Sequence, residues 1–328
     1  MSIDSTCMIC GNEESVPYFK KAFGKYGLGV VEYRKCDGCD FVFSKTHNDM
    51  TDAEWGTLNR DDHAGYQSQT ENSDDPRWVA RINAQASLID DCRQLDLIPT
   101  KRPWLDFAAG GGQLSTALRK ISDLTLLNYD RYLPSTEPKS EPALGAFNFV
   151  ITTSVFEHFR TRPDLDAIQA LVSPEGVMGV HTLVGKQVPA DPDWFYLLPV
   201  HTSFFSIKSM GLLFSQWGYK SSLYEVDSRL WPFFKRPYSE VQAILDKANA
   251  RKAKPTYFRE GRLQWITGIS RKLPCAILAI PLIGITRPVR SSRNSVSSRS
   301  AKTTRLLRPA RSSGSVLRHP MLDRRSRA

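Results

Sequence analysis

The sequence has no run of 18 or more apolar residues, so no segment is long enough to cross a bilayer as a helix. Its longest apolar stretch, residues 273–286, carries Pro274 and Pro281, which favours a core or interfacial role. Neither a Gly period nor a sustained heptad is present, which removes the collagen and coiled-coil classes. Six cysteines in 328 residues are too few for a disulfide scaffold. The amino terminus, MSIDSTCMIC, lacks a basic start followed by an apolar run, so no secretory signal is expected and a reducing, cytoplasmic location is the default. Excess positive charge is confined to one region. Residues 287–328 hold eleven Arg, Lys302 and a single acid, Asp323, a balance of +11; against the whole-chain +10 this leaves −1 on residues 1–286. The pI of 9.3 therefore describes a tail and implies no nucleic-acid-binding face elsewhere. What is present, 41% hydrophobic and 24% charged residues, is the composition of a globular chain.

Four of the six cysteines fall in the first forty residues, as Cys7-x2-Cys10 and Cys36-x2-Cys39. Each short loop brings two thiolates onto one ion, and four sulfurs complete the closed tetrahedral shell of structural zinc. Gly11 and Gly38 suit the tight turns of such knuckles, and YGLGVVEYRKC between the pairs reads as a strand or hairpin. So small a module has too little apolar surface to fold unaided, and Zn2+ binding would supply its folding free energy. An iron-sulfur cluster on the same thiolates, or a redox CxxC, are the competing readings. Cys92 and Cys275 stand alone as buried or idle residues.

Residues 50–75 are polar and acidic and read as a connecting loop. From Arg77 to Leu97 apolar residues recur at helical spacing. Strand and helix then alternate: strands at 104–107, 124–129, 149–153 and 177–181, with helices at 113–121 and from Pro163 to Val172 between them. Such repetition predicts a parallel sheet covered by helices. A helix over 206–217 with Gly218 at its end, closing strands at 219–226 and 231–234, and a helix over 239–252 follow. The Ser- and Arg-rich tail is expected to be disordered, either an electrostatic anchor to anionic lipid or RNA or a dispensable extension.

The stretch with most chemical content is Trp104-Leu-Asp106-Phe-Ala108-Ala-Gly110-Gly111-Gly112-Gln-Leu-Ser115, a strand running through a glycine-rich turn into a helix. Glycines let the backbone approach a cofactor, and the helix start presents unpaired N–H groups. A dinucleotide fold would want a third Gly where Ser115 stands. Eighteen residues after Gly112 the next strand ends at Asp130, whose carboxylate can accept bonds from both ribose hydroxyls of a nucleoside. Then comes Phe147-Asn148-Phe-Val-Ile-Thr-Thr-Ser-Val-Phe-Glu157-His158.

On these motifs, over about residues 80–235, the chain resembles the class I S-adenosylmethionine-dependent methyltransferases. With the four-cysteine amino terminus it is most similar to the zinc-binding subgroup among sugar C-methyltransferases and related polysaccharide-modifying enzymes. The resemblance implies an α/β, Rossmann-like doubly wound sheet of seven strands with the last antiparallel and the third reduced, because only residues 131–146 are available for it. The chain accordingly divides into a zinc-binding module at 1–49, a linker at 50–76, the methyltransferase domain expected at 77–236, an extension at 237–286 and the basic tail at 287–328. The resemblance implies S-adenosyl-L-methionine as cofactor, its methionine moiety lined by Asp106, Ala108, Gly110 and Gly112 and its ribose held by Asp130. Ala108 stands where the family has Gly, and Asn148 where it has Asp.

In the sugar C-methyltransferases a YHEH-x-x-x-F-S type segment supplies a catalytic Tyr and His. Here Leu198-Pro-Val-His201-Thr-Ser-Phe-Phe-Ser206 keeps the last His and the FS but lacks the Tyr and Glu, which favours oxygen over carbon as the methylated atom. An oxygen nucleophile needs one base, and neutral His suits that near pH 7. His201 is the first candidate base, and His181 at the end of its strand the second. Glu157 and His158 read as a structural pair bordering the cofactor. Trp194, Phe195, Tyr196, Phe204 and Phe205 are candidates to stack on a sugar ring or to form core. The expected partner is a small molecule, a nucleotide-sugar or a glycan intermediate. Two readings remain beside it: an RNA methyltransferase, which the −1 balance disfavours, and a non-catalytic interaction protein of the same fold, for which Ala108 and Asn148 speak.

Overall fold

The computed structural model describes residues 6–66, 75–131 and 141–251. The apolar run at 273–286, Cys275 and the tail at 287–328 lie outside them. Strand β1 (Ser15–Phe23) pairs antiparallel with β2 (Gly29–Cys36), the hairpin expected between the two cysteine pairs, and β3 (Val42–Ser44) adds to the far side of β2. Helix α1 (Lys45–Asn48) follows, then α2 (Asp52–Tyr66) and α3 (Pro76–Gln94). Asp75 caps α3 by accepting from the Arg77 N–H, with Pro76 in the first turn, where its missing donor costs nothing.

The expected alternation comes next: β4 (Trp104–Phe107), α4 (Gln113–Arg119), β5 (Leu126–Tyr129), β6 (Phe147–Thr153), a 3-10 turn (Phe156–His158), α5 (Arg162–Gln169) and β7 (Val172–His181). Then β8 (Val184–Gly185), β9 (Ser203–Ser206), α6 (Ile207–Gln216), β10 (Ser221–Ser222), β11 (Trp231–Phe234) and α7 (Tyr238–Arg251) complete the described chain. One sheet has the order β10-β11-β7-β6-β4-β5. Its four strands from β5 to β7 are parallel, and β11 runs antiparallel beside β7. Chain order reverses at β4, which passes first to β5 and then back across to β6. The crevice above the carboxyl ends of β4 and β6 is where doubly wound sheets accept ligands. Six strands of this sheet are present among the described residues. Residues 219–226 form only the two-residue β10, because the Glu225 carboxylate accepts from the N–H groups of Asp227 (3.1 Å) and Ser228 (2.6 Å) and turns the chain. No helix among the described residues is long and apolar enough to cross a membrane.

A second sheet, β1-β2-β3-β9-β8, joins the cysteine module to the later chain, since β3 pairs antiparallel with β9. Aromatic packing continues the join: Phe41 lies 5.2 Å from Phe205, Phe205 lies 5.9 Å from Phe156, and Phe156 lies 6.3 Å from Phe214. Residues 50–76, expected as a linker loop, contain α2 instead. Thr51 and Glu54 form its start: the Thr51 N–H donates to Glu54 Oε2 (2.8 Å) and the Glu54 N–H to Thr51 Oγ1 (3.3 Å), a reciprocal cap that Thr51-x-x-Glu54 announces. Arg160 then holds the helix, donating to the carbonyls of His47 (3.0 Å) and Met50 (2.9 Å) and to Asp52 (2.6 Å) while lying over Trp55.

Ser206 links three elements at once. It ends β9, caps α6 in a capping box with Ser209, and its hydroxyl donates to the Cys39 carbonyl at 3.0 Å. Ser206→Ala is expected to destabilise the protein by about 1–2 kcal/mol, read as a lowered urea midpoint with an unchanged m-value.

Candidate functional site

The two cysteine pairs converge. Asp40 N–H donates to the Cys36 carbonyl (3.0 Å) and Gly11 N–H to the Cys7 carbonyl (2.9 Å), two equivalent turns that aim the thiols at one point. Cys7 Sγ lies 3.6 Å from Cys39 Sγ, and Cys10 Sγ 3.5 Å from Cys36 Sγ. A tetrahedral ion with bonds of about 2.3 Å spaces its sulfurs about 3.8 Å apart, so the donor set fits. The hydrogen bond from Cys39 draws the Cys7 thiol down to about 5, and the same contact pushes Cys39 up. Cys92, by contrast, is buried alone, and burial raises its thiol.

At the carboxyl end of β4 the chain turns through left-handed backbone at Ala108 (φ 59), Gly110 (φ 53) and Gly112 (φ 70). Ala108 adopts the conformation that a Gly would hold without strain. A Cβ on Gly112 would meet Asn128 Nδ2 at 2.5 Å. Asn128 in turn donates to Ser115 Oγ (2.8 Å), which donates to the Gly112 carbonyl (2.9 Å). Ser115 thus fastens the loop where a dinucleotide fold would place its third Gly. Asp130 Oδ2 accepts from the Gly110 N–H at 3.0 Å. Asp106 is buried, and its Oδ1 has no hydrogen-bond partner among the described residues. Burial, with Asp130 nearby, pushes the Asp106 carboxyl up to about 8.

These groups open onto a cleft of about 1380 Å³ that also reaches His181, Glu157, His158 and His201. His201 precedes β9, and the Thr202 N–H donates to the Glu157 carbonyl (2.7 Å), which sets His201 against the 3-10 turn. Its Nδ1 lies 2.7 Å from the Tyr196 carbonyl, so Nδ1 carries the proton and Nε2 the lone pair. Burial lowers His201 to about 4 and holds it neutral. Glu157, fully buried, accepts from Tyr196 Oη (2.6 Å) and Thr182 Oγ1 (2.9 Å), and desolvation raises its carboxyl. His181 lies 3.3 Å from Ser154 Oγ through Nδ1; burial first, then Arg81 and Arg229, lower it to about 3.

Asp106, Ala108, Gly110, Asp130, His181 and His201 thus share one cleft, while the four cysteines form a separate cluster. Gly112 shapes the loop from behind. Asn148 sits at the opposite end of β6, its side chain 2.8 Å from Ser173 Oγ, so the departure from Asp there bears on packing. Of the five aromatic candidates, Phe204 and Phe205 are core at 1% exposure each and cannot stack on a ligand; Phe195, 76% exposed, borders the cleft. Trp194 packs on Tyr196 and Phe204. The sequence reading missed His63 on α2, whose ring lies 5.0 Å from that of His158. Its signal was the Thr51-x-x-Glu54 cap, which makes residues 52–66 helical and carries His63 over the cleft.

Residues 80–222 match a family described as a methyltransferase domain. No curated protein matches the chain. Solved structures with similarity include a carbon methyltransferase, CurJ, at 12% identity and TM-score 0.34, covering 53% of this chain and 58% of that one. Another is a methyltransferase from Thermotoga maritima described as a possible histamine N-methyltransferase, at 11% identity and TM-score 0.30, covering 55% of this chain and 99% of that one. Both superpositions are too loose to speak to acceptor or mechanism. Residues 80–222 thus carry the likeness to a methyltransferase domain.

Burial makes the histidines a source of acid lability. His47 (about 4), His158, His181 and His201 all have folded values below the ordinary imidazole value. Below about pH 6.5 the unfolded chain therefore takes protons that the folded chain refuses, and stability is lost as pH falls. Asp106 and Glu157, raised by burial, work the other way, but they are two against four. The unfolding free energy from urea titration is expected to fall between pH 6.5 and 5, by about 1.4 kcal/mol per pH unit for each uncompensated proton; a flat value over that range would contradict the burial argument.

Proposed function

We propose that the chain transfers a methyl group to a hydroxyl oxygen of a sugar-type small molecule, nucleotide-linked or part of a growing glycan, with His201 as general base. The observation that carries this reading is the His201 tautomer: with Nδ1 pinned by the Tyr196 carbonyl, Nε2 offers a lone pair in the same cleft as the glycine loop. The orphaned Asp106 oxygen and the left-handed turn at Ala108–Gly112 suit S-adenosyl-L-methionine, with Asp106, Ala108, Gly110 and Gly112 on its methionine part and Asp130 on its ribose. When bound, this cofactor supplies a methyl group on a positively charged sulfur. The protein's part is alignment of acceptor and donor, exclusion of water, and removal of one proton at the acceptor oxygen. His201 is favoured over His181 for that proton because both charges acting on His181, Arg81 and Arg229, disfavour a cation there, whereas at His201 Asp62 favours one and His63 opposes it. Phe195 supports a sugar ring as the acceptor, since an exposed aromatic face at a cleft edge suits stacking. The four-cysteine cluster takes structural Zn2+, which fixes the module behind β9.

His201→Ala is expected to abolish turnover while cofactor binding by calorimetry persists; His181→Ala is expected to keep most of it. Because His201 is already neutral well below pH 7, kcat/KM for the acceptor, measured at saturating cofactor, should stay level from pH 8 to about 5.5, where a base with an ordinary imidazole value would lose about tenfold. Asp106, protonated near neutrality, should ionise beside a cationic ligand. Cofactor binding at pH 7 is then expected to release a proton, seen as a binding enthalpy that changes with the buffer's ionisation enthalpy and that loses this dependence in Asp106→Asn.

A further inference from the structure

Three imidazoles meet in the cleft. The rings of His63 and His158 are 5.0 Å apart, and those of His158 and His201 are 4.9 Å apart. Each Nδ1 faces a backbone carbonyl: Asn59 at 2.7 Å, Val200 at 3.1 Å and Tyr196 at 2.7 Å, respectively. A carbonyl only accepts, so each neutral ring keeps its proton on Nδ1 and its lone pair on Nε2. Fixing the tautomer in this way is how proteins orient imidazoles toward a cation. Glu157 adds an acidic donor. One ligand atom from each of Glu157, His158 and His201 lies within 4.8 Å of the others. Both Glu157 oxygens are held by hydroxyl donors, from Tyr196 and Thr182, and each retains a further lone pair.

We infer that Glu157, His158 and His201, with His63 beside them, form a second divalent-cation site, separate from the four-cysteine cluster and suited to zinc or another ion that prefers imidazole. Two or three imidazoles with one carboxylate make the donor set of zinc sites that keep a coordination position open. Bonds of about 2.0–2.1 Å place tetrahedral donors about 3.4 Å apart, so a cation would draw the side chains together. The consequence for activity rests on the proposed role of His201. The lone pair that takes the acceptor proton is the one the cation occupies, so zinc competes with methyl transfer and chelation restores it.

Cobalt(II) titration of the metal-free full-length protein reads both sites. Thiolate ligation gives intense near-ultraviolet charge-transfer bands, whereas imidazole and carboxylate ligation gives only weaker visible bands. The expected result is a second equivalent per chain with visible absorption alone, lost in His158→Ala and weakened at least tenfold in His63→Ala, which alters only a partly exposed helix residue. In assays, added zinc should depress turnover, and His158→Ala should raise the inhibitory concentration at least tenfold. A wild-type protein that binds one thiolate-type equivalent only would overturn the site, as would a second equivalent undiminished in both variants. Zinc bound at the second site with full turnover would overturn the competition. Near-normal turnover in His201→Ala removes the base assignment and leaves the wild-type cobalt stoichiometry unaffected, so the two failures are distinguishable.

Discussion

The pairing of β3 with β9 is the constraint on which the rest depends. Val42 and Phe43 from the cysteine module lie opposite Phe204 and Ser203 from the far half of the chain. That ladder fixes the segment just before it, so His201 is delivered against the turn that carries Glu157 and His158. The Thr202 N–H on the Glu157 carbonyl completes the seam. Without the module's edge strand, β9 and β8 would have no sheet to join, and the histidine end of the cleft would rest on loop alone.

The seam also couples the four-cysteine cluster to the far half of the chain. The module has little apolar interior of its own, and its hairpin is held by two knuckles whose thiols converge to within 3.6 Å. From there contact passes through Phe41 to Phe205 and Phe156, which are stiff, buried aromatics. In the proposed reading, structural zinc positions a base without touching the reaction.

The two halves of the cleft are built by different physics. At the glycine loop, backbone geometry dominates: left-handed residues, a Ser115–Asn128 clasp, and one buried carboxyl with an unanswered oxygen. Near His201, desolvation dominates: burial holds His158 and His201 neutral and raises the Glu157 carboxyl, while each group keeps a hydrogen-bond partner. In the proposed reading, a cationic ligand on the first half and a proton acceptor on the second are complementary demands on one space.

Local signals sufficed for much of this. The spacing of Cys7, Cys10, Cys36 and Cys39 predicts their convergence, because a CxxC turn is a short-range object. The strand–glycine–helix pattern around Asp106 and the acid at Asp130 predicts their meeting, because parallel strands with short connections align their carboxyl ends. Helix α2 was hidden by its polar surface although Thr51 and Glu54 announced it. Phe204 and Phe205 stayed open between ligand platform and core, since sequence cannot tell an aromatic core from an aromatic site. What the chain alone determined was each element and the chemistry it carries. That residues 42–44 and 203–206 share a ladder, and that His63, His158 and His201 therefore meet, was decided only by tertiary structure, because pairing between segments so distant depends on the whole core's shape and leaves no periodic trace in either strand.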